Sequence, residues 1–407
     1  MDYHATTPVD PRVLEAMLPV FREKFGNPSS RNHPFGWETE KLVEKARQQV
    51  ASLIHADSKE IVFTAGATES NNLALKGIFE IYKEKGDRLI TQTTEHKSVL
   101  DTAKYLQKQG AKITFLPVDR SGLIDLDDIE KAVTEKTVLI SIMAANNEIG
   151  TIQPLEEIGK LAKRRGIFFH VDAAQAVGKI PMDVEKMGVD LLSFSAHKMY
   201  GPKGVGALYM RSKNPRVRLS PLLHGGGHEE GLRSGTLNVP AIVGFGKACE
   251  IAAQEMEEDN RCILNLRNRL FESISKQLPE IHLNGHPEKR LAGNLNLSFA
   301  YVDGESLLMA LSDEIAVPSG SACTTATKEP SYVLKALGLR EDLTHCSVRF
   351  GLGKFTTEEE VDYVAKRVVE AVKRLREISP VYQATLGSRR GILTPGKKDD
   401  HTDTQRN

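Results

Sequence analysis

Asp172 and Lys198 are the residues whose surroundings point most directly to chemistry. Each closes a short apolar run. Ile167-Phe168-Phe169-His170-Val171 leads into Asp172, and Leu191-Leu192-Ser193-Phe194 leads into Ser195-Ala196-His197-Lys198. Runs of this length read as buried strands, and ligands of open α/β sheets sit outside the carboxyl ends of strands. An acid at one strand end and an amine at the next is the pair that pyridoxal phosphate (PLP) needs. The amine condenses with an aldehyde, and the carboxylate keeps a pyridine nitrogen protonated, so that the ring withdraws electrons. Two ordinary strand ends with solvated polar groups read the same way, so other motifs must discriminate.

Gly66-Ala67-Thr68-Glu69-Ser70 lies between a strand and a helix, where backbone N–H groups and the Thr68 hydroxyl suit a phosphate. A plain N-cap fits those letters too. Ser195 and His197 can share the same phosphate. His96 follows the strand 89–93 and precedes a helix, where an imidazole can stack on a flat ring and shuttle protons, or simply cap. Asn147 follows a third strand end and can meet a ring oxygen or a substrate, or make only a turn. Gln175 faces the same ring as Asp172 if a helical turn follows the strand. Arg233-Ser234-Gly235-Thr236 suits a loop that touches phosphate. Arg349, inside the apolar strand Ser347-Val348-Arg349-Phe350, calls for a carboxylate, either an internal acid or that of an amino-acid substrate.

Cys323 sits in a run of small polar residues, 318–327, with no apolar period. That sets it apart from Cys249 and Cys262 on helical stretches. It is a candidate nucleophile or an incidental thiol. None of the four cysteines forms a C-x-x-C pair, which argues against a zinc or redox motif. His224-Gly225-Gly226-Gly227-His228 has no obvious third ligand for a metal.

The elements that must position these groups alternate. Strands at 60–64, 88–93, 113–118, 138–143, 167–171, 191–194 and 204–210 are interleaved with helices, which implies a mainly parallel sheet covered on both faces. The expected organisation is an N-terminal segment, 1–10, associated with the smaller domain. A large domain, 11–255, and a smaller α+β domain, 256–380, carrying the cysteine loop follow, then a flexible polar tail, 381–407. The long helical region from 239 to about 278 is expected to break near Asp259-Asn260, and Thr356-Thr357-Glu358-Glu359-Glu360 reads as a capping box. A formal net charge of +0 gives no global pull toward nucleic acid or a membrane surface. No apolar run approaches the roughly 18 residues of a membrane span, and no signal pattern opens the chain, so a cytoplasmic location is expected.

The ordered set ATTPVD, GNPSSRNH, FTAGATESNNLA, TEHKSVLD, NNEIG, HVDAAQAVGK, SFSAHKMYGPKG, HGGGHEEGLRSGT, PSGSACT, EPSYVLKALGL and RFGLGKFTTEEEVDY resembles the cysteine desulfurases. These are PLP enzymes of fold-type I, in the class V aminotransferase superfamily. The similarity covers residues 2 to 380 and is greatest to the group that supplies sulfur for iron–sulfur clusters. It implies a large PLP domain with a seven-stranded sheet and a smaller C-terminal domain. It also implies that Lys198 binds PLP covalently, Asp172 pairs with the pyridine nitrogen, Gln175 meets the ring hydroxyl, and His96 stacks and moves protons. Ala67, Thr68, Ser195 and His197 would hold the phosphate, and Thr236 would reach the partner subunit's phosphate site in a homodimer. Asn147 and Arg349 would hold L-cysteine. Cys323 would take its sulfur as a persulfide, releasing L-alanine. The sulfur would pass to an iron–sulfur scaffold protein or other acceptors, including those that thiolate tRNA. No resident metal is implied, although Cys323 could transiently ligate a cluster shared with a scaffold. The tail after Pro380 departs from the segment that relatives use against their scaffold. Another class V aminotransferase or lyase, with Cys323 incidental, is the alternative reading, and a PLP-fold scaffold without activity is a third.

Overall fold

The computed structural model describes residues 1–318 and 330–391, with side chains to residue 385. Cys323 and residues 392–407 lie outside the described residues. Among those described, seven strands form one sheet: β1 (Ile61–Thr64), β2 (Arg88–Gln92), β3 (Lys112–Leu116), β4 (Thr137–Ser141), β5 (Phe168–Asp172), β6 (Leu191–Ser195) and β7 (Gly206–Met210). Their spatial order is β1-β7-β6-β5-β4-β2-β3. β7 alone is reversed, antiparallel to both neighbours, and the other pairings are parallel. This is the expected α/β architecture with its mainly parallel seven-stranded sheet.

Parallel strands covered on both sides need apolar residues on both faces. Leu139 and Leu191 pack toward one face, with Leu73, Ile78 and Val99. Ile140 and Leu192, one residue on, pack toward the other, with Val43, Phe169 and Phe245. That alternation is the two-residue period of a strand. The covering helices include α1 (Pro11–Arg22), α2 (Pro34–Leu53), α3 (Ala67–Tyr82), α4 (Lys97–Lys108), α5 (Leu126–Ala132) and α6 (Leu155–Arg165).

α7 (Val239–Ser275) runs unbroken through Asp259 and Asn260, contrary to the expected interruption. No proline or glycine follows Gly246 within it, and the two polar side chains find partners off the helix. Asn260 donates to the Lys179 carbonyl at 2.5 Å, and Asp259 lies 3.8 Å from the Lys354 ammonium. Beyond α7, an antiparallel sheet of order β10-β9-β8 is built from β8 (Ile281–Leu283), β9 (Asn294–Phe299) and β10 (Ser347–Gly351). It shares a core with α8 (Gly304–Ser312) and α11 (Glu358–Glu377), through Leu297, Phe299, Leu307, Val348, Phe350 and Val368. α9 (Tyr332–Ala336) and α10 (Glu341–His345) lead back into β10. The capping box is present: Thr357 accepts from Glu360 N–H, and the Glu360 carboxylate accepts from Thr357 N–H. Residues 1–3 join the small sheet, with Gly351 N–H donating to the Met1 carbonyl and Tyr3 N–H to the Gly351 carbonyl, each at 3.1 Å.

The expected tail is helical at its start, as α12 (Pro380–Gly391). Tyr382 accounts for this. Its ring lies 5.6 Å from that of Tyr301 and 5.4 Å from the Arg376 guanidinium, so the segment is anchored despite its polar composition.

The free edge of β1 is closed by side chains. Glu229 accepts from the Phe63 N–H at 2.7 Å and takes both Arg47 Nη groups at 2.8 Å, while Arg47 also donates to the Ile61 carbonyl. The Glu229 side chain is only 2% exposed. Removing one partner of such a buried pair strands the other charge. Glu229→Ala is therefore expected to lower the unfolding free energy by about 3 kcal/mol, read by urea titration. A loss no larger than that of an exposed glutamate would show that the edge does not need this pair.

Candidate active site

The carboxyl ends of β4, β5 and β6 and the start of α3 enclose a cavity of about 970 Å³. β5 ends at Asp172, and a helical turn follows, in which Ala176 and Val177 N–H both donate to the Ala173 carbonyl. That turn brings Gln175 back to the cavity, as its spacing requires. β6 ends at Ser195, and a short 3-10 turn, Ala196–Lys198, presents His197 and Lys198. At Gly66 φ is +153°, a backbone that favours glycine, and it lets β1 turn straight into α3. No side chain caps α3, so its first N–H groups open beside Thr68 and Ser195.

Ten of the expected residues line this one cavity: Ala67, Thr68, His96, Asn147, Asp172, Gln175, Ser195, His197, Lys198 and Arg349. Thr236 is exposed and does not line the cavity of its own chain. Cys323 lies outside the described residues. Cys249 is fully buried in α7 and its thiol is pushed up by burial, whereas Cys262 on the same helix is exposed.

Asp172 is 4% exposed. Its Oδ2 accepts from Asn71 Nδ2 at 2.7 Å and its Oδ1 from Ala174 N–H at 3.0 Å. Lys198 Nζ donates to the carbonyls of His4 and Ala5 at 2.7 and 2.8 Å. Gln175 is held from two sides. Its Nε2 donates to the His4 carbonyl, and its Oε1 accepts from Lys179 Nζ, both at 2.9 Å. Arg349, buried inside β10, donates to the Asn147 carbonyl at 2.8 Å and to Asp2 Oδ1 at 2.9 Å. Asp2 thus meets one nitrogen of this arginine and does not use up its donors. Asn147 Oδ1 and Arg349 Nε are buried without a partner among the described residues. Such atoms are costly to leave unmet, and both belong to residues on the cavity wall.

The electrostatics favour an anion. Burial lowers Lys179 to about 7, with Lys198 and Arg349 adding to the shift. Burial lowers His197 to about 4, helped by Lys198, Lys203 and Lys179. An uncapped helix start beside Thr68, Ser195 and neutral His197 suits a phosphate. A buried carboxylate and a lysine share the same cavity. These donors and acceptors fit PLP.

His4, Asn71, Glu95, Ser98, Glu148 and Lys179 also shape the site and were not foreseen in these roles. Asn71 and Ser98 carry a readable signal, as polar side chains at buried helical positions. Glu95 is fully buried. Burial and then the charge of Asp172 raise it far above the usual carboxylate range. Tyr332 donates to the Glu95 carbonyl at 2.6 Å, and Ser331 donates to the Glu148 carboxylate.

The chain matches the family model described as aminotransferase class-V over residues 1–364. It is 56% identical over 383 residues to the cysteine desulfurase IscS of Rickettsia conorii, covering 94% of this chain and 93% of that protein. Against a cysteine desulfurase of Pongo abelii, identity is 57% over 383 residues, covering 94% and 83%. The solved structure of a NifS-like protein superposes with a TM-score of 0.85 at 43% identity, covering 92% of this chain and 99% of its own.

Glu148 generates a pH prediction. Burial raises it from 4.5 to about 7, while the Ser331 hydrogen bond and the charges of Arg349 and Lys97 pull it back. Between those values the folded chain keeps a proton that the unfolded chain has lost, so stability falls as pH rises through that window. Glu148→Gln removes the fall. Relative to the parent, the variant is expected to gain on the order of 2 kcal/mol between about pH 5 and pH 8, read by denaturant titration at both. An equal difference at the two pH values would overturn the assignment.

Proposed function

Because this chain belongs to the aminotransferase class-V family, we propose that its central cavity is the active site of a PLP-dependent cysteine desulfurase. The protein is an enzyme that takes sulfur from L-cysteine for iron–sulfur cluster assembly. The observation that carries the site assignment is the convergence of ten residues, from positions 67 to 349, on one cavity with the donor set that PLP needs.

When bound, PLP supplies an electron sink for the carbon that loses sulfur. The N–H groups at the start of α3, with Thr68, Ser195 and His197, would hold its phosphate. Asp172 would hold its ring nitrogen, Gln175 its ring hydroxyl, and Lys198 its aldehyde carbon. His96 would stack on the ring face. Arg349 binds the substrate carboxylate next to Asn147, whose unmet Oδ1 can accept from the substrate amine. Lys198, once its amine is free, moves protons at Nζ, and the His4 and Ala5 carbonyls steady the ammonium. The Cys323 thiolate attacks the substrate sulfur. The C–S bond breaks as the S–S bond forms, and a proton delivered to carbon completes L-alanine.

A homodimer in which Thr236 reaches the partner's phosphate site belongs to the same proposal, and its exposure supports that role. So does transfer of sulfur from Cys323 to a scaffold protein. Among the described residues no helix is long and apolar enough to cross a membrane. A cytoplasmic location is part of the proposal.

Intact-mass analysis after L-cysteine, with alanine assayed in the same tube, tests this reading. The parent is expected to gain sulfur on the peptide bearing Cys323 and to release alanine. Cys323→Ala should bind PLP and form no persulfide. Lys198→Ala should lose borohydride fixation of the cofactor and roughly 10²-fold or more of the rate. Undiminished alanine release by Cys323→Ala would favour a class V enzyme of another kind.

A further inference from the structure

Gln175 lines the cavity, and Lys179, four positions on, does not. The turn after β5 brings the two together. Lys179 N–H donates to the Ala176 carbonyl at 2.9 Å, and the Lys179 carbonyl is tied to α7 by the Asn260 amide. Lys179 Nζ then donates to Gln175 Oε1 at 2.9 Å. An ammonium has donors and no acceptor, so the amide atom that faces it must be oxygen. The other end of the amide agrees. Gln175 Nε2 lies 2.9 Å from the His4 carbonyl, which can only accept. Turning the amide over would set Nε2 against the ammonium and Oε1 against that carbonyl, two mismatches at once. The His4 ring is a weaker guide. Its Nδ1 lies 3.2 Å from Oε1 and its Nε2 3.2 Å from the Gly293 carbonyl. Burial, and then Lys179 and Arg349, hold His4 well below the usual histidine range, so the neutral ring has one N–H for two acceptors. Lys179 is the donor on which Oε1 depends.

Gln175 is 5% exposed, so water hardly competes for its amide. One Nε2 hydrogen goes to the His4 carbonyl, and the second is left for the cavity. The charged groups that bear on Lys179 come from several elements. His4 lies on the N-terminal segment, Lys198 on the turn after β6 and Arg349 on β10. Tyr200 and Asp259 of α7 border the same small void, of about 30 Å³, as Lys179. Burial, then Lys198 and Arg349, lower Lys179 to about 7. Joining PLP to Lys198 removes that neighbouring ammonium and adds a phosphate and a ring oxygen, so the loaded enzyme keeps Lys179 charged to higher pH.

We infer that Lys179 is a positioning residue for the cofactor: it fixes the Gln175 amide so that an Nε2–H faces the cavity and holds the ring oxygen of PLP as an anion. The inference rests on the desulfurase reading of the cavity and deepens it. Lys179 touches neither cofactor nor substrate in this arrangement and acts through Gln175. A reversed amide would turn its oxygen toward the ring oxygen, two acceptors face to face, and would favour a proton there. The fixed donor does the opposite, and it also makes the nitrogen that joins Lys198 to the cofactor less basic.

The visible absorbance of the PLP-loaded enzyme, titrated with pH, follows the proton on that nitrogen. Lys179→Met is expected to raise the midpoint by about half a unit or more. Lys179→Arg keeps a charge and donors, and should recover at least about half of that change. In a Gln175→Leu background, Lys179→Met should shift the midpoint by about half as much or less, because its effect passes through the amide. Carbon spectra of 13C-lysine-labelled parent, with Lys179→Met identifying the resonance, should show the Lys179 midpoint rise when PLP is loaded. An unmoved absorbance midpoint in Lys179→Met, an undiminished shift in the Gln175→Leu background, or a Lys179 midpoint that does not rise on loading would overturn the inference. Absorbance and carbon shifts are read without turnover, so this result stands apart from whether the parent enzyme releases alanine.

Discussion

The site depends on one anion that water hardly reaches. Asp172 ends the central strand of a sheet covered on both faces, and a charge buried there costs several kcal/mol unless it is paired. Two N–H groups meet it, one from Asn71 and one from Ala174. Its presence leaves no room for a second carboxylate. Burial and then the charge of Asp172 raise the Glu95 carboxyl well above the usual range, and its Oε1 accepts from the Met143 N–H. His96 feels the same charge, which opposes the burial that lowers its ring. Burial leads both shifts, and the one carboxylate adds to it at Glu95 and opposes it at His96.

Around that anion stand more cations than it can balance. Burial lowers Lys179 to about 7, and the nearby charges of Lys198 and Arg349 add to that shift. Part of the excess is absorbed by oxygen atoms of the chain: the His4 and Ala5 carbonyls for Lys198, the Gln175 amide oxygen for Lys179, and the Asn147 carbonyl with Asp2 for Arg349. The remainder suits a cofactor phosphate and a substrate carboxylate, both of which bring negative charge.

Local signals were legible in the sequence. Parallel strands buried on both faces read as apolar runs that stop at a polar residue, and this located Asp172 and Ser195 to Lys198. The capping box before α11 is equally local. Long-range partners were not legible. His4 meets Gln175 across 171 positions, and Asn71 meets Asp172 across 101, so no window of sequence contains either pair. Asp259-Asn260 looked like a break because both residues favour turns, yet on one long helix each found a partner off the helix. The tail looked featureless because composition was weighed over one aromatic contact, that of Tyr382.

The pairing of residues 1–3 with Gly351 has a consequence for how the protein is made. Asp2, His4 and Ala5 belong to the site, but Asp2 is held by Arg349 and Tyr3 by Gly351, almost the whole chain away. At a synthesis rate of roughly 5–20 residues per second, the first residues leave the ribosome tens of seconds before β10 exists. The Lys198 region can form its strand and turn in that interval, but the first strand pairing of the chain must wait. Closing so long a loop places completion of the cavity among the last folding events. A nascent chain that stops before β10 therefore has the sheet and the lysine, with Thr7 able to bond the His197 carbonyl, but neither Arg349 nor the strand that ties down residues 1–3, so the cavity wall is complete only once β10 has formed.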